Sequence, residues 1–364
     1  MTIIRLPGLV DPHVHLREPG QTHKEDWDSG TAAALAGGFV QVLAMPNTQP
    51  PLVDADSWQM SAAAAQAKAR CDYGIFVGAT VENSATAAAL APQAAGLKMY
   101  LNNTFGTLRL DDLDSLLAHM DAWPLDAPLA VHAEERTAAA AILAAKLSGR
   151  SVHICHVSRK AEIELIARAK DAGLPVTCEV CPHHLFLTLE DAPRIGRGRA
   201  EVRPMLATPA DRDALWTHMA DIDCFATDHA PHLLSEKDSA IPEVFGGDPA
   251  VPGYAGLETA LALWLQAVDA GRLTLDDLIE KMAVAPRQIY DLPEPDDTWI
   301  EVDVDAPWTV TGAAQHTRCG WTPFEGWQLR GRVTKVVLRG AVAFAEGQVL
   351  AAPGSGCNVR DGDA

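Results

Sequence analysis

Leu9-Val10-Asp11-Pro12-His13-Val14-His15 is an apolar run that ends in two histidines, and runs of this kind recur along the chain. Three further apolar runs lie at 39–45, 72–79 and 174–180. Four others hold a potential metal ligand near the carboxyl end: 96–101 with Lys98, 128–133 with His132, 151–157 with His156 and 222–228 with Asp228. Parallel barrel strands point such side chains into one mouth, so these eight runs predict a (β/α)8 TIM-type barrel that holds two metal ions.

Ala- and Leu-rich stretches between these runs have the i, i+3, i+4 spacing of amphipathic helices. Strand and helix alternate through about 260 residues, which favours one barrel over two doubly wound domains. We therefore assign residues 9–290 to the barrel. The predicted helices cover 25–36, 56–69, 111–120, 134–147, 160–172, 209–219 and 257–270, with a short one expected between 79 and 96.

The two ends of the chain are predicted to form a small β appendage. Residues 1–8 precede the barrel, and 291–364 follow it with a Trp- and Pro-rich pattern. Short apolar runs at 299–304, 331–338 and 342–345 are typical of strands, and 3–6 is expected to pair with them. The Gly-Ser-Gly segment near the C-terminus is interpreted as the start of a tail.

The composition excludes several classes of function. The net charge of -19 in 364 residues argues against a nucleic-acid partner, since phosphate binding needs a basic face. No run approaches the roughly 20 apolar residues of a membrane span, and no leader segment opens the chain. Seven cysteines without regular spacing fit a reducing compartment, so we expect a cytoplasmic protein that acts on a small molecule.

The chemistry of the predicted mouth depends first on His13, His15 and Lys98. Histidines two apart project from the same face of a strand and can chelate one metal, although such pairs also occur by chance. Lys98 lies inside an apolar strand, where an unpaired ammonium costs several kcal/mol. It either reaches a salt-bridge partner or takes up CO2 to become a carbamate, an anion that can bridge two metals. The nearby histidines favour the carbamate.

The remaining candidates lie at later strand ends. Alternation places His153 and Cys155 on one face and His156 on the other, so Cys155 and His156 serve one site only if the strand ends there. His153 is expected to pack inside the barrel. Asp228 supplies an oxygen ligand and a natural proton carrier, and His232, four residues further, is expected near the site.

Six motifs in order resemble dihydroorotases of the amidohydrolase superfamily. More narrowly, the chain is similar to the dihydroorotase domains of animal multifunctional pyrimidine-synthesis proteins, which also contain carbamoyl phosphate synthetase and aspartate transcarbamylase. The likeness extends from Ile3 to about Arg360. The motifs are 13-HVHLREPG-20, 44-AMPNT-48, 98-KMYLN-102, 153-HICHV-157, 182-PHHL-185 and 228-DHAPH-232.

The resemblance implies a reversible cyclisation of N-carbamoyl-L-aspartate to L-dihydroorotate, in a homodimer or in association or fusion with those two enzymes. Carried over by position, one Zn2+ would be bound by His13, His15 and Asp228 and the other by His132 and His156, with carbamylated Lys98 between them. A third zinc would be bound by Cys155 and Glu179, with its histidine left open.

The resemblance also implies the substrate contacts. The substrate carboxylate would be held by Arg17, Asn47 and His232, because a guanidinium and an amide present the geometry that a carboxylate needs. Arg203 would reach the ring or its loop, and the backbone of Pro252 and Gly253 would contact the pyrimidine amide. Thr104 and Phe105 match a mobile loop at 101–107, in which Gly106 offers hinge freedom.

One departure and three alternatives remain open. Segment 233–252 is longer than in the animal proteins and rich in Pro, Gly and acidic residues, which leaves the contacts of Pro252 and Gly253 open. The alternatives are a hydantoinase or dihydropyrimidinase, a catalytically silent scaffold homologue, and a metal-binding core without turnover. Arg17 and Asn47 argue against the first, and the complete ligand set argues against the other two.

Overall fold

The strands form two separate sheets in residues 1–239 and 251–361, which the computed structural model describes. In chain order they are β1 (Ile3–Pro7), β2 (Leu9–Val14), β3 (Phe39–Ala44), β4 (Asp72–Gly78), β5 (Gly96–Tyr100), β6 (Leu129–His132), β7 (Val152–Ile154), β8 (Val176–Val180), β9 (Cys224–Phe225), β10 (Trp299–Thr309), β11 (Gln328–Leu338), β12 (Ala341–Ala345) and β13 (Gln348–Val349).

The first sheet consists of the eight parallel strands β2 to β9, whose spatial order follows the sequence. Every residue of β2 to β6 is buried. Such near-continuous burial is typical of strands that are covered on both faces, by helices outside and packed side chains inside. The predicted (β/α)8 barrel is confirmed.

Contacts beyond the strand ends bring the last barrel strand to the first. Val14 and His229 form a parallel bridge, and the backbone N–H of His15 donates to the His229 carbonyl over 2.7 Å. The buried Asp11 carboxylate accepts from the Thr227 backbone N–H over 3.1 Å and from the Thr227 hydroxyl. The ring is therefore nearly closed at the end where the predicted ligands lie.

The helices alternate with the strands, and aspartates cap several of them as sequence rules predict. Asp26, Asp54 and Asp112 each accept from the backbone of the third helical residue. The helices are α1 (Trp27–Ala36), α2 (Ala55–Lys68), α3 (Ser84–Ala88), α4 (Leu113–Ala122), α5 (Arg136–Leu147), α6 (Lys160–Asp171), α7 (Pro182–Phe186), α8 (Ala192–Ile195), α9 (Pro209–Thr217), α10 (Leu234–Asp238), α11 (Leu257–Asp269), α12 (Leu275–Ile279) and α13 (Ala285–Tyr290).

The second sheet is the predicted β appendage. Its antiparallel order is β1-β10-β11-β12-β13, and β1 pairs with β10 from Ile3 opposite Asp303 to Pro7 opposite Trp299. Gly331, with φ of +92°, brings β11 against the barrel, since a Cβ there would lie 2.6 Å from Leu265 of α11. The last described residues return to the barrel, where the Val359 N–H donates to the Tyr73 carbonyl.

Three features differ from the sequence expectations or lie beyond the description. The predicted run 222–228 contains only the two-residue strand β9, and the short helices α7, α8, α10, α12 and α13 were not predicted. Of segment 233–252, residues 240–250 lie outside the described residues. Among the described helices, none has the length and apolar character needed to cross a membrane.

Candidate active site

Three site residues adopt a left-handed backbone conformation just beyond their strands. Arg17, His156 and Asp228 have φ of 60°, 36° and 47°. Such values are uncommon outside glycine and cluster at functional sites. Because β7 ends at Ile154 and the chain turns at His156, Cys155 and His156 both face candidate ligand groups, Cys155 beside His13 and Glu179 and His156 beside His132.

The first ligand-type group joins both ends of the barrel. His13, His15 and Asp228 present ligand atoms within 4.8 Å of one another, and all three are buried. Asp228 Oδ1 lies 3.0 Å from His15 Nε2 and 3.4 Å from His13 Nε2. Burial alone would raise the pKa of Asp228, but His13 and His15 outweigh it and hold that pKa below its usual range. The carboxylate is thus ionised, as a metal ligand must be.

The second group lies beside it on β6 and β7. His132 Nδ1 is 3.0 Å from His156 Nε2, and His156 Nδ1 is buried and has no hydrogen-bond partner among the described residues. Burial and the neighbouring His132 and Lys98 hold the pKa of His156 well below its usual value. Burial likewise lowers the pKa of His15 to about 4. Both imidazoles are therefore neutral near pH 7, the form that binds metals.

Lys98 is fully buried between these groups. Its Nζ lies 2.9 Å from Cys155 Sγ and 5.2 Å from the centre of the Tyr100 ring. No described carboxylate lies within 4.0 Å of Nζ, so the salt bridge considered above is not formed within the described part of the chain. An ammonium in this position would be buried without a counter-charge, at a cost of several kcal/mol.

A third group lies beneath the first and shares His13 with it. His13, Cys155 and Glu179 present ligand atoms within 4.8 Å of one another, and His13 Nδ1 is 2.5 Å from Glu179 Oε1. Burial alone would raise the pKa of Glu179, but His13 and His153 lower it below its usual range. The other ligand-type groups among the described residues are His153-Glu179-Cys224 and Cys181-His183-His184.

The predicted substrate residues surround the opposite wall of the same mouth. Arg17 is buried, and its Nη2 lies 2.9 Å from His232 Nε2. His232 Nε2 also lies 3.0 Å from the Pro252 carbonyl, and Asn47 Oδ1 lies 2.6 Å from His15 Nδ1. The structure thus places the side chains that could donate hydrogen bonds to a substrate carboxylate next to the first ligand group.

The loop after β5 covers this mouth. Asn47 Nδ2 donates to the Phe105 carbonyl over 3.0 Å, and the Phe105 ring packs edge-on against His232 at 4.8 Å. The space below has a volume of about 20 Å³, which is roughly room for one water molecule. It is lined by His13, His15, Arg17, Asn47, Tyr100, Thr104, Phe105, His132, His156, Arg203, Asp228, Ala230, Pro252 and Gly253.

Two buried lysines near this wall were missed by sequence reasoning. Lys237 Nζ donates to the carbonyls of Glu201, Val251 and Gly253 over 2.7, 2.8 and 3.2 Å. It thereby ties together the segments that carry Arg203 and Pro252. Lys24 contacts His232. Both lysines stand in polar stretches, so the sequence holds no local signal that they are buried.

Comparison with known proteins identifies the family of this chain. A family model described as Dihydro-orotase-like matches residues 3–138. The dihydroorotase of Pyrococcus abyssi is 34% identical over 99% of this chain and 88% of its own length. The chain belongs to the dihydroorotase family. The multifunctional protein CAD of Squalus acanthias is 52% identical over 98% of this chain, which spans only 16% of that relative's length.

Two solved structures share the fold of this dihydroorotase-family chain. L-hydantoinase from Arthrobacter aurescens has a TM-score of 0.91 and covers 98% of this chain and 88% of its own, but at 24% identity it supports the fold alone. An inactive dihydroorotase-like domain of a CAD-like multifunctional protein from Chaetomium thermophilum has a TM-score of 0.82 at 28% identity, and covers 98% of this chain and 99% of its own. The family thus contains a member described as inactive.

Proposed function

We propose that this chain catalyses the reversible cyclisation of N-carbamoyl-L-aspartate to L-dihydroorotate with loss of water, a step of pyrimidine biosynthesis. One observation carries the proposal: a single covered pocket is lined by five metal-ligand side chains and by Arg17, whose guanidinium contacts His232. A metal centre alone would suit any cyclic amide. The paired donors favour a substrate that bears a carboxylate.

The side chains fit two zinc ions. His13, His15 and Asp228 would hold one, His132 and His156 the other, and Lys98, carbamylated, would lie between them. The missing counter-charge at Lys98 among the described residues supports the carbamate, and His156 Nδ1 has no hydrogen bond in that part of the chain that would compete with a metal. When bound, such ions polarise a carbonyl and lower the pKa of a water molecule.

The chain's own residues would orient the substrate and move one proton. Arg17 and Asn47 would hold the substrate carboxylate, while Phe105 would cover the pocket and exclude water. Asp228, kept ionised by its histidines, would accept a proton from the attacking water. It would then pass that proton to the ring nitrogen that leaves on hydrolysis, and the reverse steps would form the ring.

A combined assay of zinc content and turnover tests this proposal. Cyclisation consumes one proton, because a dicarboxylate becomes a monocarboxylate. The equilibrium ratio of dihydroorotate to carbamoyl aspartate should therefore rise about tenfold for each unit by which the pH falls. Turnover of a hydantoin without turnover of dihydroorotate would transfer the assignment to the hydantoinases. A zinc-loaded chain inactive on both substrates would indicate a silent homologue.

We further propose that Cys155 and Glu179 hold a third zinc, with His13 as the histidine that the sequence left open. His13 supports this assignment because its Nδ1 faces Glu179 and its Nε2 faces Asp228. Cys155→Ala should lose about one equivalent of zinc per chain. Anomalous scattering at the zinc edge should give three peaks in the wild type and two in the variant.

A matched control for that measurement is Cys178→Ala. Cys178 is another buried thiol, but it lies in none of the ligand-type groups of the described residues. The control should keep all the zinc of the wild type. Two peaks in the wild-type protein would instead make Cys155 a small buried apolar residue.

The loop at 101–107 is proposed to act as a lid, because a volume of about 20 Å³ cannot admit a pyrimidine ring. Thr104→Ala and Phe105→Ala should each lower turnover by about ten- to a hundredfold, since substrate is then misplaced. Zinc content and melting temperature should stay unchanged. Thr86→Ala, on the exposed side of α3, is the control, and wild-type kinetics in both loop variants would make this segment a plain connection.

Assembly and location complete the proposal. The relatives include a multifunctional protein and a separate dihydroorotase, so both arrangements occur in the family. We propose a homodimer that can associate or be fused with aspartate transcarbamylase and carbamoyl phosphate synthetase in the cytoplasm. All seven cysteines are free thiols, which agrees with a reducing compartment. Light scattering of the purified chain tests the dimer.

A further inference from the structure

Lys24 is a buried lysine at the substrate wall of the pocket, in the segment between β2 and α1. Its side chain is 3% exposed, and its Nζ lies 2.9 Å from Glu236 Oε1 and 3.1 Å from His232 Nδ1. The same Nζ lies 4.9 Å from the centre of the Phe105 ring. One ammonium therefore contacts both the lid residue and the predicted carboxylate-binding histidine.

This contact decides which nitrogen of His232 carries the hydrogen. A lysine ammonium has three donors and no acceptor, so His232 Nδ1 must accept from it. Burial, together with the cations of Arg17 and Lys24, lowers the pKa of His232 well below its usual value. The imidazole ring of His232 is thus neutral, and its one nitrogen-bound hydrogen lies on Nε2.

The Nε2–H group of His232 lies next to a second hydrogen-bond donor, the Arg17 guanidinium. His232 Nε2 donates to the Pro252 carbonyl over 3.0 Å, yet Arg17 Nη2 lies only 2.9 Å from the same nitrogen. Two donors cannot satisfy each other. Arg17 Nη1 is also buried without a hydrogen-bond partner in the described chain. A carboxylate, which only accepts and has two oxygens, would accept from Arg17 and, in place of the Pro252 carbonyl, from the Nε2–H of His232.

We propose that Lys24 is a positioning residue that keeps His232 as an Nε2–H donor and so makes this wall specific for a substrate carboxylate. Without Lys24, the hydrogen could move to Nδ1 of His232. Nε2 would then accept from Arg17, and the two side chains would satisfy each other without an anion. This inference rests on the proposed function, because it takes the pocket as the dihydroorotate site.

Kinetics of Lys24→Met test the proposal, since methionine keeps an apolar stem of similar length but has no donor. The KM for dihydroorotate should rise by about ten- to a hundredfold, the value of a hydrogen bond to a charged group. The kcat should change much less, and zinc content should stay at the wild-type value. Lys24→Arg retains donors and should recover part of the affinity. Lys170→Met, which removes a half-buried ion pair with Asp223 elsewhere in the barrel, is the control and should leave KM unchanged.

Nitrogen NMR of labelled histidine gives a readout that does not depend on turnover. The His232 signals are identified by their loss in His232→Gln. Nδ1 should have the shift of an acceptor nitrogen in the wild type and change toward a protonated one in Lys24→Met. An unchanged KM, or an unchanged shift in that variant, would overturn the proposal. No dihydroorotate turnover by zinc-loaded wild type would refute the proposed function instead, while the shifts would still test the role of Lys24.

Discussion

Asp228→Asn is expected to lower dihydroorotate turnover by about 10² to 10⁴-fold, the usual contribution of general acid-base catalysis. Asparagine keeps nearly the same shape and one ligand oxygen, so part of the zinc should remain bound. It cannot carry a proton, however, because its amide does not ionise. Turnover in both directions and zinc per chain are the measurements.

The result separates the two roles of Asp228. Loss of turnover with zinc retained assigns the proton transfer to this carboxylate, whereas normal turnover would place the proton carrier elsewhere. Asp213→Asn is a suitable control, since Asp213 is an exposed residue of α9 that pairs with Arg212. That variant should behave as the wild type.

Lys98→Ala is expected to remove at least one zinc and to lower turnover on the order of 10³-fold, because several kcal/mol of metal-based stabilisation are lost with the bridging anion. Acetate or propionate should restore part of the zinc content and part of the turnover by occupying the space of the carbamate. Removal of CO2 from the buffers during metal loading should likewise lower the zinc uptake of the wild-type protein.

A structural role for Lys98 would give another pattern. Lys146→Ala, on the exposed side of α5, controls for the loss of a lysine as such. Full zinc content and a wild-type rate in Lys98→Ala would exclude the carbamate. A loss of folding alone would appear as a lower melting temperature that short carboxylic acids do not correct.

The sequence predicted the barrel and the clustering of ligand-type side chains at its strand ends, because both depend on local patterns. Buried parallel strands are continuous apolar runs, and a polar residue at the end of such a run is conspicuous, as at Lys98 and His132. The length of β9 could not be predicted in this way. The predicted run continues through Ala226 to Thr227 and Asp228, but contacts of Thr227 with Asp11 of the neighbouring strand β2 replace regular pairing there.

The residues that sequence reasoning missed depend on contacts between distant parts of the chain. Lys24 meets His232 across 208 positions, and nothing near either residue shows that the two will meet. The histidine of the proposed third zinc site stayed open for a similar reason. Alternation gives the face on which His13 and His153 project, but not which ring lies against Cys155 and Glu179.

The near-closure of the barrel between β2 and β9 has a consequence for how the protein acquires metal during synthesis. His15 and Asp228 are 213 positions apart, so at roughly 5–20 residues per second the histidines leave the ribosome some 10 to 40 s before their carboxylate exists. His132 and His156 are separated by only 24 positions on adjacent strands. The nascent chain therefore contains the His132 and His156 pair before it contains the Asp228 carboxylate, so the first group is complete only after the last barrel strand has been synthesised.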